Sequence, residues 1–151
     1  KNEILLHSAE SSSALFNGNN DYPYNELADA WELLLLNQFH DIIPGSSIAW
    51  VYDDASKDHD KINAIGKNVI NKTLSDYGKT FSTEGMSRPV LAYNPTSWKR
   101  DAIVEIDGIE IPVENIASYG CSVFDAAGKM KNAVRLHKGV SMNSAVEKQK
   151  R

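Results

Sequence analysis

The sequence contains a single cysteine, Cys121, among its 151 residues. One cysteine excludes an intrachain disulfide framework and any zinc cluster built from cysteine thiolates. A chain without disulfides suits a reducing compartment, which favours a cytoplasmic location. Long apolar runs are also missing. The longest, Leu33 to Leu36, is far shorter than the roughly 20 residues that span a bilayer, so the sequence predicts no transmembrane helix.

Strong charge of either sign is absent as well. The formal net charge is -4, and a mildly acidic surface excludes a general affinity for nucleic acid or for an anionic membrane. The chain becomes basic from Lys129 onward, and we interpret residues 129–151 as a basic, poorly ordered tail. The sequence lacks an initiating methionine and begins inside a predicted helix, which we interpret as the sign of a piece cut from a longer protein.

Helical periodicity in the first half predicts a three-helix bundle over residues 1–78. A first helix is expected from Glu3 to Phe16, followed by a loop rich in glycine, asparagine and proline at residues 17–23. A second helix begins near Asn25, and its apolar residues recur every three or four positions. The run from Leu33 to Leu36 is expected to widen the buried face of this helix.

Pro44 and Gly45 should end the second helix, because proline cannot be accommodated in a helix interior. Ser46 or Ser47 is then expected to cap a long third helix, ending near Tyr77, by accepting a backbone N–H. The polar face of this helix carries carboxylates, the working groups of glycoside hydrolysis. Interleaved lysines favour their interpretation as solvated surface. These carboxylates are Asp53, Asp54, Asp58 and Asp60.

The hydrophobic period changes to two beyond the third helix. Residues 79–89 are interpreted as a linker, and short runs rich in β-branched or aromatic residues follow. These predicted strands are Val90–Tyr93, Ala102–Ile106, Ile109–Val113 and Cys121–Phe124. The dipeptide Asp107-Gly108 predicts a type I′ hairpin turn. The predicted fold class is therefore α+β in two units, a three-helix bundle followed by a partial antiparallel β-sandwich over residues 90–128.

His40 and Asp41 stand side by side where the second helix ends. A position held between two rigid elements suits a metal ligand and a substrate-binding group. The structural alternative is that the imidazole lies over helix carbonyls and the carboxylate accepts turn N–H groups. Spacing alone favours this alternative, because zinc needs three or four ligands. The other histidines add no motif: His7, His59 and His137.

Further candidate residues have structural explanations. His59 falls beside the apolar stripe of the third helix and is expected to be a packed helix residue. Trp31 and Trp50 are expected in the bundle core rather than as sugar-stacking platforms. Cys121 lies in a predicted strand, and no serine has a His/Asp relay at motif spacing, so nucleophilic catalysis by either residue type is unsupported.

Two stretches of the bundle carry a family resemblance. Residues 31–48, WELLLLNQFHDIIPGSSI, and residues 51–55, VYDDA, resemble the middle domain of α-mannosidases of glycoside hydrolase family 38. Residues 2–10, NEILLHSAE, are similar to the helix that precedes this motif in the family. Residues 94–100, NPTSWKR, resemble the opening of the family's C-terminal β-sandwich region. The resemblance covers most of residues 1–125.

The resemblance implies a zinc-dependent, retaining α-mannosidase that acts on terminal α-linked mannose in glycans or oligosaccharides. Its pocket is built mainly by an N-terminal α/β domain outside this chain, so no catalytic residue is assigned here and the chain alone should be inactive. His40 matches the zinc ligand contributed by the helical domain, and Asp41 matches the carboxylate that contacts the mannose hydroxyls. The remaining zinc ligands belong to the absent domain.

A function of another class stays open at this point. The chain could be a non-catalytic helical adaptor or carbohydrate-binding module in which His40 and Asp41 only cap and turn the backbone. This alternative predicts that both side chains bond locally, whereas the enzyme interpretation predicts that they lie exposed together. Assembly into a homo-oligomer is left open by either interpretation.

Overall fold

The computed structural model describes residues 1–17 and 21–129. The chain divides into two compact units, of which the first spans Lys1–Thr80 and the second begins at Phe81. Helices precede antiparallel sheets along the chain, so the predicted α+β fold class is confirmed. The predicted basic tail, apart from Lys129 itself, lies outside the described residues.

The first unit is formed by helices α1 (Asn2–Phe16), α2 (Tyr24–Asn37) and α3 (Ala49–Gly78). Their apolar stripes meet in one core, as the periodicity predicts. This core consists of Leu6 and Ala9 from α1, Leu27, Ala30 and Leu34 from α2, and Ile62 and Val69 from α3. No helix in the described residues is long and apolar enough to cross a membrane.

Helix α2 ends at Asn37, so the prediction that Pro44 and Gly45 end this helix is wrong. The helix also buries a narrower face than expected. Leu34 is buried, but Leu35 and Leu36 are each 60% exposed, so the prediction of a widened buried face is wrong. Four consecutive residues cover a full helical turn, and only part of a turn can face the core. Trp31 packs against the core as predicted, and its indole N–H donates to Oε1 of Glu10 over 2.9 Å.

Two predictions for α3 are wrong. Trp50 is 77% exposed, because it lies in the first turn of the helix, ahead of the buried stripe that starts at Ala55. His59 is exposed rather than packed. Its ring Nδ1 lies 3.2 Å from the side-chain amide nitrogen of Asn2, at the start of α1.

The second unit contains strands β1 (Pro89–Tyr93), β2 (Arg100–Ile106), β3 (Ile109–Ile116) and β4 (Cys121–Asp125). Strands β2 and β3 pair antiparallel, with Ile106 opposite Ile109, and β1 pairs antiparallel with β4. Asp107 and Gly108, between β2 and β3, have φ values of 52° and 74°. Positive φ at both central positions confirms the predicted type I′ turn.

Both two-stranded sheets contribute to one core, so the sandwich prediction holds in outline. The core residues are Ala92 from β1, Ile111, Val113 and Ile116 from β3, Phe124 from β4, and Ala126. Along β3 the buried Ile111 and Val113 alternate with exposed neighbours, which is the pattern of a sheet buried on one face.

Asn94, immediately after β1, is the polar centre of this unit and only 1% exposed. Its side-chain amide donates to the carbonyl oxygens of Trp98, Ala117 and Ile116 over 2.8, 2.9 and 3.3 Å. Its side-chain oxygen accepts hydrogen bonds from the N–H and hydroxyl of Thr96. The side chain thereby connects backbone groups on both sides of the β2–β3 hairpin, and its own buried polar atoms are all hydrogen-bonded.

Candidate functional site

The segment between α2 and α3, residues 38–48, is called the His–Asp turn below. Its backbone is closed by local hydrogen bonds. The carbonyl oxygen of Phe39 accepts the N–H groups of Ile42 and Ile43 over 2.9 and 3.1 Å, and the N–H of Gly45 donates to Ile42. Gly45 has a φ of 83°, a left-handed conformation that favours glycine. The turn is therefore a defined structure and not an open loop.

The exit of the turn differs from the predicted cap. Helix α3 is preceded by Ile48, and no side chain accepts a hydrogen bond from its first turn, so the cap predicted at Ser46 or Ser47 is wrong. Instead, the N–H of Ser47 donates to the hydroxyl oxygen of Tyr52 over 2.7 Å. The exit of the turn is therefore held by Tyr52, which belongs to α3.

The entrance of the turn is held by Asn37, the last residue of α2, which is buried. Its side-chain amide donates to the Leu33 carbonyl over 2.8 Å and to Oδ2 of Asp58, on α3, over 3.0 Å. The predicted solvated surface is confirmed for Asp53, Asp54 and Asp60, which are exposed. Asp58 is the exception, because it is half-buried and serves as the acceptor for Asn37.

His40 and Asp41 lie together on the surface of the turn. Their side chains are 76% and 58% exposed, and Nε2 of His40 lies 3.5 Å from Oδ2 of Asp41. The His40 ring also packs against the ring of Phe39, with centroids 4.2 Å apart. The sequence placed these two residues side by side, and the fold keeps them so.

Local capping does not account for this pair. The N–H groups of Ile42, Ile43 and Gly45 donate to backbone carbonyls of the turn. In the part of the chain that the structure describes, the Asp41 carboxylate accepts no backbone N–H, and Nε2 of His40 lies beside this carboxylate. The carboxylate therefore lacks the turn N–H groups that the structural alternative predicted, although the two side chains contact each other.

The donor chemistry of this pair suits the edge of a metal site. An exposed imidazole can offer a ring nitrogen to zinc, and a carboxylate can accept hydrogen bonds or ligate. Across residues 1–17 and 21–129, no three His, Cys, Asp or Glu side chains come together in a group that could hold a metal ion. Because zinc takes three or four protein ligands, the described residues do not by themselves form a complete zinc site.

Large apolar side chains surround the pair in the sequence. Several of the exposed large hydrophobic residues of the described chain lie between residues 35 and 50: Leu35, Leu36, Phe39, Ile43, Ile48 and Trp50. Soluble proteins expose single apolar side chains freely, but a concentration of them is typical of a surface that another protein surface covers. We call these residues the apolar surround.

Sequence reasoning missed two residues that shape the site, Asn37 and Tyr52. The signal for Asn37 was available, because one polar residue after four leucines on an amphipathic helix indicates a buried partner. Tyr52 carries no comparable signal. Its role depends on where the turn places the N–H of Ser47, and that is set by tertiary structure.

The family model described as the alpha mannosidase middle domain matches residues 1–76 of this chain. The chain belongs to this α-mannosidase family. The matched residues contain the whole His–Asp turn and both residues that hold it, Asn37 and Tyr52. The resemblance inferred from the sequence is thus confirmed.

Curated relatives carry α-mannosidase names. Alpha-mannosidase 2C1 of Mus musculus is 31% identical over 107 residues, which are 69% of this chain and 10% of the relative. The Homo sapiens protein of the same name is 30% identical over the same shares. Alpha-mannosidase G of Dictyostelium discoideum is 38% identical over 76 residues, which are 48% of this chain and 7% of the relative. The chain therefore spans a tenth or less of the length of these relatives.

Proposed function

We propose that this chain forms one wall of the active site of a zinc-dependent, retaining α-mannosidase that removes terminal α-linked mannose from glycans or oligosaccharides. The observation that carries the proposal is the exposed His40–Asp41 pair within the family match. The remaining zinc ligands and the catalytic carboxylates belong to an N-terminal α/β domain of the parent protein, outside this chain.

His40 is proposed as a zinc ligand. Its imidazole is open to approach and is held beside a carboxylate and an aromatic ring. Rigid placement matters, because a metal ligand must be held close to its productive geometry. When bound, zinc supplies Lewis acidity to hydroxyl groups of the sugar.

Asp41 is proposed to bind and orient the mannose through its hydroxyls. Its carboxylate is free of turn N–H groups, so its oxygen lone pairs remain available for sugar hydroxyl donors. Hydrogen bonds to an ionised acceptor are stronger than neutral ones. A carboxylate at the rim of the site also favours the positive charge that develops on the sugar ring in glycoside hydrolysis.

The apolar surround is proposed to pack against the N-terminal domain of the parent protein. Its members are exposed in this chain, and they lie within the His–Asp turn and on both sides of it in the sequence. Packing of the N-terminal domain on the apolar surround would exclude water from the rim of the site and hold the two domains together. Trp50, which is 77% exposed on the first turn of α3, is the largest side chain of this group and is proposed to be covered in the parent protein.

No residue of the described chain is proposed as the nucleophile. Cys121, the single thiol, has its pKa raised to about 11 by burial, which keeps it protonated and unreactive at neutral pH. The carboxylates of Asp53, Asp54 and Asp60 are exposed on the solvated face of α3. We therefore propose that the chain alone does not hydrolyse mannosides.

The proposal is tested by hydrolysis of an aryl α-mannoside by the parent protein. His40→Ala should lower kcat/KM by more than the roughly 10- to 100-fold that loss of an outer-shell metal partner produces. His7→Ala, which removes an exposed histidine of α1, is the matched control and should leave kcat/KM unchanged. Wild-type turnover by His40→Ala, or turnover by the 151-residue chain alone, would contradict the proposal.

A further inference from the structure

We propose that Tyr52 and the Asn37–Asp58 pair are positioning residues that lock the His–Asp turn at both ends and thereby set the direction of His40. The inference rests on the proposed function, because it assigns these residues a role in zinc binding at that site. None of them touches the metal or the sugar in this proposal. They act through the backbone that carries His40 and Asp41.

The exit lock is the hydrogen bond from the Ser47 N–H to the Tyr52 hydroxyl, at 2.7 Å. The first N–H groups of a helix have no intrahelical partner and usually bond to a capping side chain. Helix α3 has no such cap, and the Tyr52 hydroxyl reaches back across the first turn to the N–H of Ser47, the residue before the N-cap position. The bond therefore fixes the chain at the point where it leaves the turn, two residues after the left-handed Gly45.

The entrance lock is formed by Asn37, whose amide nitrogen uses both of its hydrogens. One bond, of 2.8 Å, goes back along α2 to Leu33, and the other, of 3.0 Å, crosses to the Asp58 carboxylate on α3. A hydrogen bond to an ionised acceptor is stronger than a neutral one, and a buried amide left without partners is costly. The end of α2 is thereby tied to α3, three residues before His40.

Both locks end on the same helix. Tyr52 and Asp58 both belong to α3. The entrance and the exit of the turn are therefore both hydrogen-bonded to the same helix. His40 and Asp41 have no hydrogen bond to α3 of their own in the described residues. Their direction is set through the backbone, which the two locks hold. Outer-shell partners of metal ligands change metal affinity by about 10- to 100-fold when they are removed.

The test measures the zinc dissociation constant of the parent protein by competition with a chelator, together with the visible absorption of the cobalt-substituted protein. Tyr52→Phe removes only the hydroxyl, and Asp58→Ala removes only the carboxylate acceptor. Each should weaken zinc binding by about 10-fold or more and change the cobalt spectrum. Asp58→Asn keeps an acceptor at the same place and should recover most of the affinity.

Matched controls separate positioning from general damage. Tyr24→Phe removes an exposed tyrosine hydroxyl at the start of α2, and Asp60→Ala removes an exposed carboxylate of α3. Both should leave the zinc dissociation constant and the cobalt spectrum unchanged. Thermal unfolding is measured in parallel, because a merely structural role would lower the unfolding temperature without moving either metal readout.

The outcomes distinguish this inference from the proposed function. If His40→Ala abolishes zinc binding while Tyr52→Phe and Asp58→Ala keep wild-type affinity and spectrum, the positioning role is wrong and the proposed function stands. If His40→Ala keeps its zinc, the proposed function fails and the positioning role fails with it. If Asp58→Asn binds zinc as poorly as Asp58→Ala, the entrance lock does not act through the hydrogen bond from Asn37.

Discussion

The two units use a buried asparagine in opposite ways. In the helical unit Asn37 ties two helices together beneath a turn whose own side chains stay exposed. In the β unit the Asn94 side chain is buried and hydrogen-bonds to the carbonyls of Trp98, Ile116 and Ala117 and to the Thr96 N–H. Asn37 thus lies beneath an exposed turn, whereas Asn94 lies in the interior of its unit.

This difference agrees with the proposed function, which lies in the helical unit. That unit carries the exposed imidazole and carboxylate and the apolar surround, as well as a core of its own. The β unit carries a half-buried thiol with a raised pKa and a satisfied polar centre, which are features of a scaffold. Substitutions of exposed residues in the His–Asp turn should therefore affect zinc binding and activity, whereas substitutions of buried residues in either unit should affect folding.

The largest effect on stability is expected from a core truncation in the helical unit. Ile62→Ala deletes a fully buried side chain, and such substitutions lower the free energy of unfolding by about 2–5 kcal/mol. The loss in the free energy of unfolding is measured by urea denaturation, with helical ellipticity as the signal. Ile103→Ala, the same substitution at an exposed position of β2, is the control. If Ile62→Ala and Ile103→Ala lowered the free energy of unfolding equally, burial of Ile62 would not explain the effect.

The polar centre of the β unit comes next. Asn94→Ala removes the amide donor from three carbonyls and the acceptor from the Thr96 N–H. The Trp98 and Ala117 carbonyls keep hydrogen bonds from the Thr96 hydroxyl and the Gly120 N–H, and each group left without any partner costs about 1–3 kcal/mol unless water reaches it. Amide hydrogen exchange should accelerate in β3 and β4 but not in α2. Ser97→Ala, which changes an exposed neighbour, is the control. Faster exchange spread equally through α2 would show that the asparagine does not act within its own unit.

Two glycines, one from each unit, should give smaller losses for different reasons. A Cβ on Gly66 would lie 2.8 Å from Cγ of Leu5, whereas a Cβ on Gly108 would meet nothing within 4 Å. Gly66→Ala should therefore destabilise α1–α3 packing by about 1–3 kcal/mol through overpacking, less the gain in helix propensity. Gly108→Ala should cost about 1–2 kcal/mol, because its φ of 74° is left-handed.

The two glycine effects have separate rescues, both read by urea denaturation. Leu5→Ala should relieve the clash of Gly66→Ala in the double variant, so that the two losses are not additive. Asn tolerates left-handed φ, so Gly108→Asn should be milder than Gly108→Ala. Additive losses at the first site, or equal losses for Ala and Asn at the second, would contradict these explanations.

The smallest disturbance comes from labelling Cys121. Burial raises its pKa from 9.0 to about 11, so iodoacetamide at pH 8 should modify the folded chain about 100-fold more slowly than the urea-unfolded chain. The raised pKa also makes the free energy of unfolding depend on pH, because the folded state favours the protonated thiol. The stabilisation from the protonated thiol is fully present below pH 9.0 and is lost as the pH rises toward about 11. Equal labelling rates would contradict the raised pKa.

The sequence predicted those parts of the fold that depend on local pattern. Helices α1 to α3 followed from hydrophobic period, and the β2–β3 hairpin followed from Asp107-Gly108, whose backbone preference is intrinsic to the residues. The cap at Ser46 or Ser47 and the burial of Trp50, Leu35 and Leu36 were wrong. Each depends on which face of a helix meets the core and on where a turn ends, and neighbouring residues do not fix either.

The site was located by resemblance and not by spacing. His40 and Asp41 stand next to each other in the chain, but the described residues contain no third ligand near them, so a search for a complete metal motif had to fail. The supporting bonds of Asn37 and Tyr52 cross between elements and become visible only in the structure. The other zinc ligands of the proposed site lie outside this sequence, so no reading of it could name them.

The most direct test of His40 as a zinc ligand is the zinc content of the parent protein after purification and dialysis, compared between wild type, His40→Ala and Asp41→Asn. His40→Ala should lose its zinc, because a ligand is gone, and Asp41→Asn should keep most of its zinc while binding mannosides more weakly. Full zinc occupancy in His40→Ala would contradict the central claim that this turn supplies a ligand to the metal.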